Sequence, residues 1–357
     1  MDAGFRRDDG ESFAADLLAW YDVHGRKDLP WQHPRTAYRV WLSEIMLQQT
    51  QVATVLGYFD RFLQRFPTLP ALAAAPLDAV LAAWSGLGYY SRARNLHRAA
   101  QVCVAQHSGD LPRDFDALAA LPGIGRSTAG AILAQAHGLR WPILDGNVKR
   151  VLARWHGVDE WPGSTAGQNT LWNFAQIHTP HARIADYTQA IMDLGATVCT
   201  RAKPRCGACP LRAQCVALRD GRTAELPRRK PARALPTRRT LMLLLRDADG
   251  RVLLERRPSS GVWAELWSLP QADDLAAAQQ RHALPAHAFE PLAPFVHVFS
   301  HFRLEITPLS ARVAARRLAD DAAQQRWLAP RDAAALGLPA PVRKLIQTLF
   351  DENPETL

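Results

Sequence analysis

The chain has no uninterrupted apolar run of about eighteen residues, the length a membrane-crossing helix requires. Its first residues, which include Asp2, Asp8, Asp9 and Glu11, lack the basic-then-apolar order of a secretion signal. A cytoplasmic protein is therefore expected, with no secretory signal and no membrane contact. Only five cysteines occur in 357 residues. In an intracellular chain so few thiols argue against a disulfide framework and point toward metal or chemistry. No internal repeat or low-complexity tract stands out, which sets aside repeat and fibrous architectures. Acidic residues are outnumbered, 34 against 43 Lys and Arg, for a net charge of +9. That balance points to a polyanionic partner rather than to any one fold.

The remaining composition, 48% hydrophobic and 22% charged, is that of a globular protein, and the length predicts two domains. Apolar spacing predicts helices over 13–24, 38–66, 76–84, 91–107, 115–121, 127–137, 148–155 and 172–194. Between 219 and 239, Arg or Lys at 222, 228, 229, 230, 233, 238 and 239 alternates with Pro227, Pro231 and Pro236. This reads as an extended linker. Beyond it the period changes to that of strands: a hairpin with an Asp-Gly turn over 240–255, and strands over 262–269 and 295–306. Helices at 273–283 and 341–350 complete a mixed α+β module. The expected domains are 1–218, a basic linker 219–239, and 240–357.

Four features carry chemistry. Pro122-Gly123-Ile124-Gly125 followed by Ser127-Thr128 places a tight glycine turn before a small-residue helix, and outward-facing amides there could seat a phosphate. It lacks the preceding strand and third glycine of a dinucleotide fingerprint. An ordinary helix-helix turn, with Asp145 as an ordinary helix cap, accounts for the same residues. Glu44 is one carboxylate within Ser43-Glu44-Ile45-Met46-Leu47-Gln48-Gln49-Thr50-Gln51, a surface suited to specific hydrogen bonding or to a polar core patch. Gly86-Leu87-Gly88-Tyr89-Tyr90 offers either packing anchors or aromatic wedges. Cys199, Cys206, Cys209 and Cys215, in a loop over 199–215, can enclose one soft metal centre, zinc or iron-sulfur. Spacing alone does not choose between them. Arg201, Lys203, Arg205 and Arg212 make the same loop basic, while the lone Cys103 reads as a buried apolar residue.

Leu121-Pro122-Gly123-Ile124-Gly125 resembles the helix-hairpin-helix of the endonuclease III superfamily, and the four cysteines have the spacing of that group's 4Fe-4S cluster. Within it, residues 41–52 and Leu144-Asp145-Gly146-Asn147-Val148-Lys149-Arg150 closely resemble the adenine DNA glycosylases of base-excision repair. The resemblance implies a mostly α, two-subdomain glycosylase domain with one 4Fe-4S cluster on Cys199, Cys206, Cys209 and Cys215. It also implies a C-terminal α+β Nudix-like domain. Around Gly261-Val262-Trp263-Ala264-Glu265-Leu266-Trp267 that domain lacks the Arg-Glu-x-x-Glu-Glu helix that would hold magnesium, so recognition rather than hydrolysis is expected of it.

The same resemblance implies a monofunctional, monomeric enzyme. It would hydrolyse the N-glycosidic bond of adenine opposite 8-oxoguanine or G in double-stranded DNA, nucleoid-associated if bacterial. Glu44 is the expected general acid and Asp145 the carboxylate that stabilises the cationic sugar. Gln48, Gln49, Tyr89, Gly123, Gly125 and Ser127 are expected to contact DNA, and Phe299, Ser300 and His301 to read the lesion. Ser127 stands where the superfamily's bifunctional lyases carry lysine. Lys149 remains a candidate for trapping an abasic sugar. The competing expectations are a bifunctional glycosylase and lyase acting on oxidised pyrimidines, and a non-catalytic damage-binding protein.

Overall fold

A computed structural model describes residues 7–230, 234–313, 324–333 and 336–352, with side-chain surroundings from residue 12 to 348 within those spans. Pro231 and Arg233 of the linker and the acidic residue Asp2 lie outside the described residues. In chain order the helices are α1 (Arg7–His24), α2 (Ala37–Leu47), α3 (Val52–Arg65), α4 (Leu69–Ala74), α5 (Leu77–Ala83), α6 (Ser91–Gln106), α7 (Phe115–Ala119) and α8 (Arg126–His137). They continue as α9 (Gly146–His156), α10 (Thr165–His178), α11 (Ile184–Asp193), α12 (Val216–Arg219), α13 (Leu275–His282), α14 (Pro330–Ala333) and α15 (Ala340–Glu352). Contacts divide the chain into two compact units, one of residues 1–74 and 95–232, the other of 75–94 and 233–357. Residues 75–94, which a sequential division places in the first domain, pack with the second unit.

In the first unit, Phe13, Leu17 and Tyr21 of α1 join Val148, Val151, Leu152 and Trp155 of α9 and Leu171 of α10 in one core. Cys199, Cys209 and Cys215 pack against its margin. The N-terminal helix thus shares a core with the cysteine loop. Helix α2 is nearly engulfed, with Val40, Trp41, Leu42, Ile45 and Met46 all buried. The single helix predicted over 38–66 is two. Leu47 ends α2, Gln49 takes a left-handed φ of 59°, and Gln51 caps α3. Apolar periodicity continues across this break, so spacing alone hides it; four polar residues in succession are the local signal. The run over 172–194 is also broken, at Pro180 and at Arg183 with φ 52°, which opens α11.

The second unit is built on β1 (Thr237–Arg246), β2 (Val252–Arg256), β3 (Trp267–Ser268), β4 (Gln271–Ala272), β5 (Glu290–Pro291), β6 (Phe295–Val298), β7 (Arg303–Arg312) and β8 (Gln325–Leu328). Strand β1 runs parallel to β7 from Thr237↔Arg303 to Arg246↔Arg312 and antiparallel to β2. The β1–β2 turn is closed by buried Asp247, whose Oδ1 accepts the amides of Asp249 and Arg251. Gly250 supplies the left-handed φ of 74° that a side chain would resist. Side chains alternate along β1 as the pleat requires. Met242 and Leu244 face a core shared with Val342 and Ile346 of α15, whereas Leu243 and Leu245 face one shared with Ala278 of α13. Both sheet faces are therefore covered. The predicted strand over 262–269 shrinks to β3, because Trp263 and Glu265 adopt left-handed φ of 56° and 60°. The predicted strand over 295–306 folds back on itself as the β6–β7 hairpin.

Candidate active site

In the first unit a cavity of about 710 Å³ is lined by Glu44, Gln48, Ser127 and Asp145, together with Arg26, Trp31, Asn147, Arg150 and Gln189. Glu44 sits in the last turn of α2, and its Oε1 accepts one long hydrogen bond, 3.3 Å from Gln135 Nε2. Densely packed protein around it strips the carboxyl of water. This desolvation, with the negative Asp145 next in weight, pushes its pKa up to about 8. Some of its surface still opens onto the cavity.

Asp145 is the N-cap of α9. Its Oδ1 accepts the Val148 amide at 2.8 Å and its Oδ2 the Asn147 side-chain amide at 3.1 Å. Burial raises its pKa too, but these donors, Arg150 and the positive end of the helix oppose the shift. The two carboxylates are thus unequally supported: Asp145 has several donors that favour its anion, whereas among the described residues Glu44 has only Gln135, so a proton is favoured on Glu44.

The loop that carries Asp145 is held from three sides. Ser127 Oγ accepts the Leu144 amide at 2.9 Å. A Cβ on Gly130 would stand 2.5 Å from Pro142 O, and one on Gly195 would stand 2.5 Å from Asn147 Cβ. Neither approach leaves room for a side chain. Arg150 donates to Asn147 Oδ1 at 2.8 Å and, on its other side, to the carbonyls of Gly195 and Cys199 at 2.6 Å each. The α9 start and the cysteine loop are thereby tied together.

The sequence reading missed Arg26, Trp31 and Gln189. Arg26 chelates buried Asp193, with Nη2 to Oδ1 at 2.6 Å, and Gln189 Nε2 donates to the same oxygen at 2.8 Å. Gln189 Oε1 is buried without a hydrogen-bond partner among the described residues, an acceptor awaiting a donor.

Cys199, Cys206, Cys209 and Cys215 line a second, small cavity with Arg154, Arg205 and Arg212. Among the described residues no three His, Cys, Asp or Glu side chains converge on one point; the four thiols ring a space instead. Burial, with the neighbouring thiols adding to it, pushes Cys209 up to about 12. Buried Arg154 donates to Cys199 Sγ at 3.4 Å and to the carbonyls of Thr200 and Leu226. A four-sulfur donor set with guanidiniums to offset its charge fits a soft cluster.

Gly123 (φ 79°) makes the hairpin turn close against Asn95. Gly125 caps α8, and a Cβ there would meet nothing within 4 Å. A side chain at Gly125 would therefore project into open space.

In the second unit, a cavity of about 720 Å³ gathers Tyr89, Phe299, Ser300 and His301. The two tyrosines divide the roles that the sequence left open. Tyr90 OH donates to Leu338 O at 2.8 Å as an anchor, whereas Tyr89, with φ 48°, is 50% exposed. Phe299, Ser300, His301 and Phe302 form the tip of the β6–β7 hairpin, closed by the Phe299 amide on Phe302 O at 2.9 Å. Phe299 stacks on Phe302 with ring centroids 4.5 Å apart. Gln49 is exposed beside the first cavity, on the other unit.

Residues 42–176 match the model of the HhH-GPD superfamily of base excision DNA repair proteins, and residues 241–348 match that of the NUDIX domain. The chain is 36% identical over 345 residues to an adenine DNA glycosylase of Buchnera aphidicola (strain APS), covering 96% of this chain and 98% of that protein. It is 34% identical to the adenine DNA glycosylase of Mus musculus, covering 98% of this chain and 80% of the mouse protein. Among solved structures, a thermostable thymine-DNA glycosylase superposes with a TM-score of 0.55 at 26% identity, over 60% of this chain and 98% of that one. No helix among the described residues is long and apolar enough to cross a membrane.

Proposed function

Since the chain belongs to the adenine DNA glycosylase family, and so acts in base excision on DNA, we propose that Glu44 and Asp145 carry out the excision and that the target is adenine opposite 8-oxoguanine or G. What supports this reading is the unequal pair lining one cavity, a desolvated carboxyl whose pKa is pushed up to about 8 beside a carboxylate that accepts from the Val148 amide and the Asn147 side chain.

Adenine within a duplex must leave the stack to be reached, and the cavity of about 710 Å³ is large enough to receive it. Gln189 Oε1 is suited to accept from the exocyclic amine. Glu44 delivers its proton to adenine N7 as the bond from the sugar breaks and its electron pair passes to the base. Asp145 stabilises the positive charge that develops on the sugar until water adds there and gives up a proton. Ser127 supplies no amine for a Schiff base, so hydrolysis without strand cleavage follows.

The α8 start at Gly123 and Gly125 is proposed to seat a backbone phosphate, Gln49 and Tyr89 each to insert into the duplex, and Gln48 to contact DNA. Phe299, Ser300 and His301 are proposed to read the opposing lesion. Cys199, Cys206, Cys209 and Cys215 are proposed to hold one 4Fe-4S cluster, which would supply folding energy to the basic loop rather than chemistry at the sugar. Arg150 and Arg154 support that loop from behind. A location with the nucleoid follows if the source is bacterial.

Duplexes that contain A opposite 8-oxoguanine, A opposite G, or thymine glycol, assayed with and without alkali, test the reading. Alkali-dependent cleavage confined to the two adenine mispairs is expected. Cleavage at thymine glycol without alkali would favour a bifunctional lyase, and binding without excision a damage sensor.

A further inference from the structure

The β6–β7 hairpin tip hangs on one ring. Phe302 is 1% exposed. Phe299 stacks on it with planes 17° apart, and His301 meets it edge-on with centroids 4.8 Å apart. Both neighbours of Ser300 therefore rest on Phe302. Beyond the last ladder pair, Val298↔Arg303, the tip is closed among the described residues by a single backbone hydrogen bond, from the Phe299 amide to Phe302 O. Its order thus depends on how the rings pack.

A group from another strand covers the same ring. Arg238, the second residue of β1, places its guanidinium carbon 4.6 Å from the Phe302 centroid. Successive side chains of a strand point to opposite faces. Arg239 turns one way and is held by Glu305, its Nε donating to Oε2 at 2.9 Å. Arg238 turns the other way, to the face of Met242 and Leu244, which pack in the core that contains Phe302. It also lines the cavity of about 720 Å³ with Tyr89, Phe299, Ser300 and His301, so its charge sits at the tip without belonging to it.

A cation over an aromatic face is attracted by the ring quadrupole, which at an exposed site is worth a factor of about two to five in an equilibrium constant. The contact favours one placement of Phe302 and, through the stack, one placement of Phe299. It is small beside the core, so it acts on the precision of the tip and not on whether the domain folds.

We propose that Arg238 is a positioning residue for lesion preference: its guanidinium, laid over Phe302, holds Phe299, Ser300 and His301 in the arrangement that separates 8-oxoguanine from G. The inference rests on the reading of that tip given above and adds a residue outside it.

Full-length, cluster-containing protein is tested with Arg238→Gln, which keeps a stem over the ring but no charge, and with Arg238→Lys, which keeps a cation. Arg238 is exposed, so both variants should fold, with the melting temperature followed as a check. In single-turnover excision at subsaturating protein, Arg238→Gln should cut the preference for A opposite 8-oxoguanine over A opposite G about two- to fivefold, with removal opposite G unchanged. Arg238→Lys should restore most of it. In the free protein, hydrogen exchange at the Phe299 amide should quicken by a similar factor in Arg238→Gln, a change that loss of a DNA contact would not produce. Equal losses on both mispairs, with the log-log salt slope for DNA reduced by about 0.9, would make Arg238 a phosphate contact; an unchanged preference would leave it without a role at the tip. Either result overturns the proposal. Ser300→Ala with His301→Ala separates this failure from that of the tip reading. If that variant keeps its full preference, the tip is misassigned and Arg238 with it; if it loses preference while Arg238→Gln does not, only Arg238 is.

Discussion

Ser127 Oγ accepts the Leu144 amide at 2.9 Å, which fastens the residue before Asp145 to the first turn of α8. The hydroxyl at position 127 therefore positions the proposed catalytic carboxylate besides failing to be a lysine. Ser127→Ala leaves the buried Leu144 donor unpaired, at a cost of about 1–3 kcal/mol. A lower melting temperature together with slower single-turnover excision is expected, while mismatch binding holds. Excision at the wild-type rate would show that Asp145 is placed without this bond.

Glu44 ties activity to pH. With its folded pKa at about 8, single-turnover excision should be level through neutrality and fall above that value as the proton is lost. Glu44→Gln should bind mismatched DNA normally and lose about 10² to 10⁴-fold in rate, with no pH dependence left from this group. Near wild-type excision by Glu44→Gln would end the mechanism.

The same group makes a stability prediction of definite sign. Folding raises this acid's pKa from 4.5 to about 8, so the folded state favours the protonated form. Its contribution is fully present below the unfolded pKa and is lost as pH climbs toward 8, by at most about 1.4 kcal/mol per pH unit. Glu44→Gln, which cannot ionise, should therefore melt progressively higher relative to wild type between pH 5 and 8. Parallel melting curves across that range would place Glu44 in water.

For the cysteine loop, iron and sulfide with a yellow-brown absorbance are expected on anaerobic purification. Cys206→Ser should lose folded yield before it loses chemistry. Arg154→Met, which removes the donors to Cys199 Sγ and Thr200 O, should shorten retention of the cluster. One zinc and no iron by metal analysis would refute the assignment.

Lesion preference should reside in the hairpin tip. Ser300→Ala with His301→Ala should erode the advantage of 8-oxoguanine over G while leaving adenine removal opposite G. This is a cleaner test than truncation. Cutting after Arg219 would remove Leu226, which is buried and accepts from Arg154 at 2.9 Å. Loss of residues 233–357 would also strip residues 75–94 of contacts such as Asp78 with Trp267 Nε1.

What the sequence revealed and what it hid divide along a physical line. That Glu44 and Asp145 share a cavity, and that the four cysteines ring a space, was expected from short motifs that resemble those of a known family. The β1–β2 hairpin was legible because Asp247 and Gly250 supply its turn chemistry locally. Arg26 and Gln189 were not, since only the fold brings Arg26 beside Gln189, where both donate to Asp193, more than 160 positions from Arg26 along the chain. Local backbone conformation was the other blind spot. Gln49 and Tyr89 both adopt left-handed φ without being glycine, as do Arg183, Trp263 and Glu265. Apolar periodicity is insensitive to a single such residue.

The parallel pairing of β1 with β7 begins at Thr237↔Arg303, so β1 starts at the same end of the sheet that bears the Phe299–Phe302 tip. Nine residue steps later, about 30 Å away at the rise of a strand, the sheet ends at Arg246 and Arg312 beside the Asp247–Gly250 turn. The start of β1 and the Phe299–Phe302 tip thus occupy one pole of the sheet and a solvent-facing turn the other. A fluorophore on exposed Asp249 would ride on the same ladder at the pole opposite the Phe299–Phe302 tip.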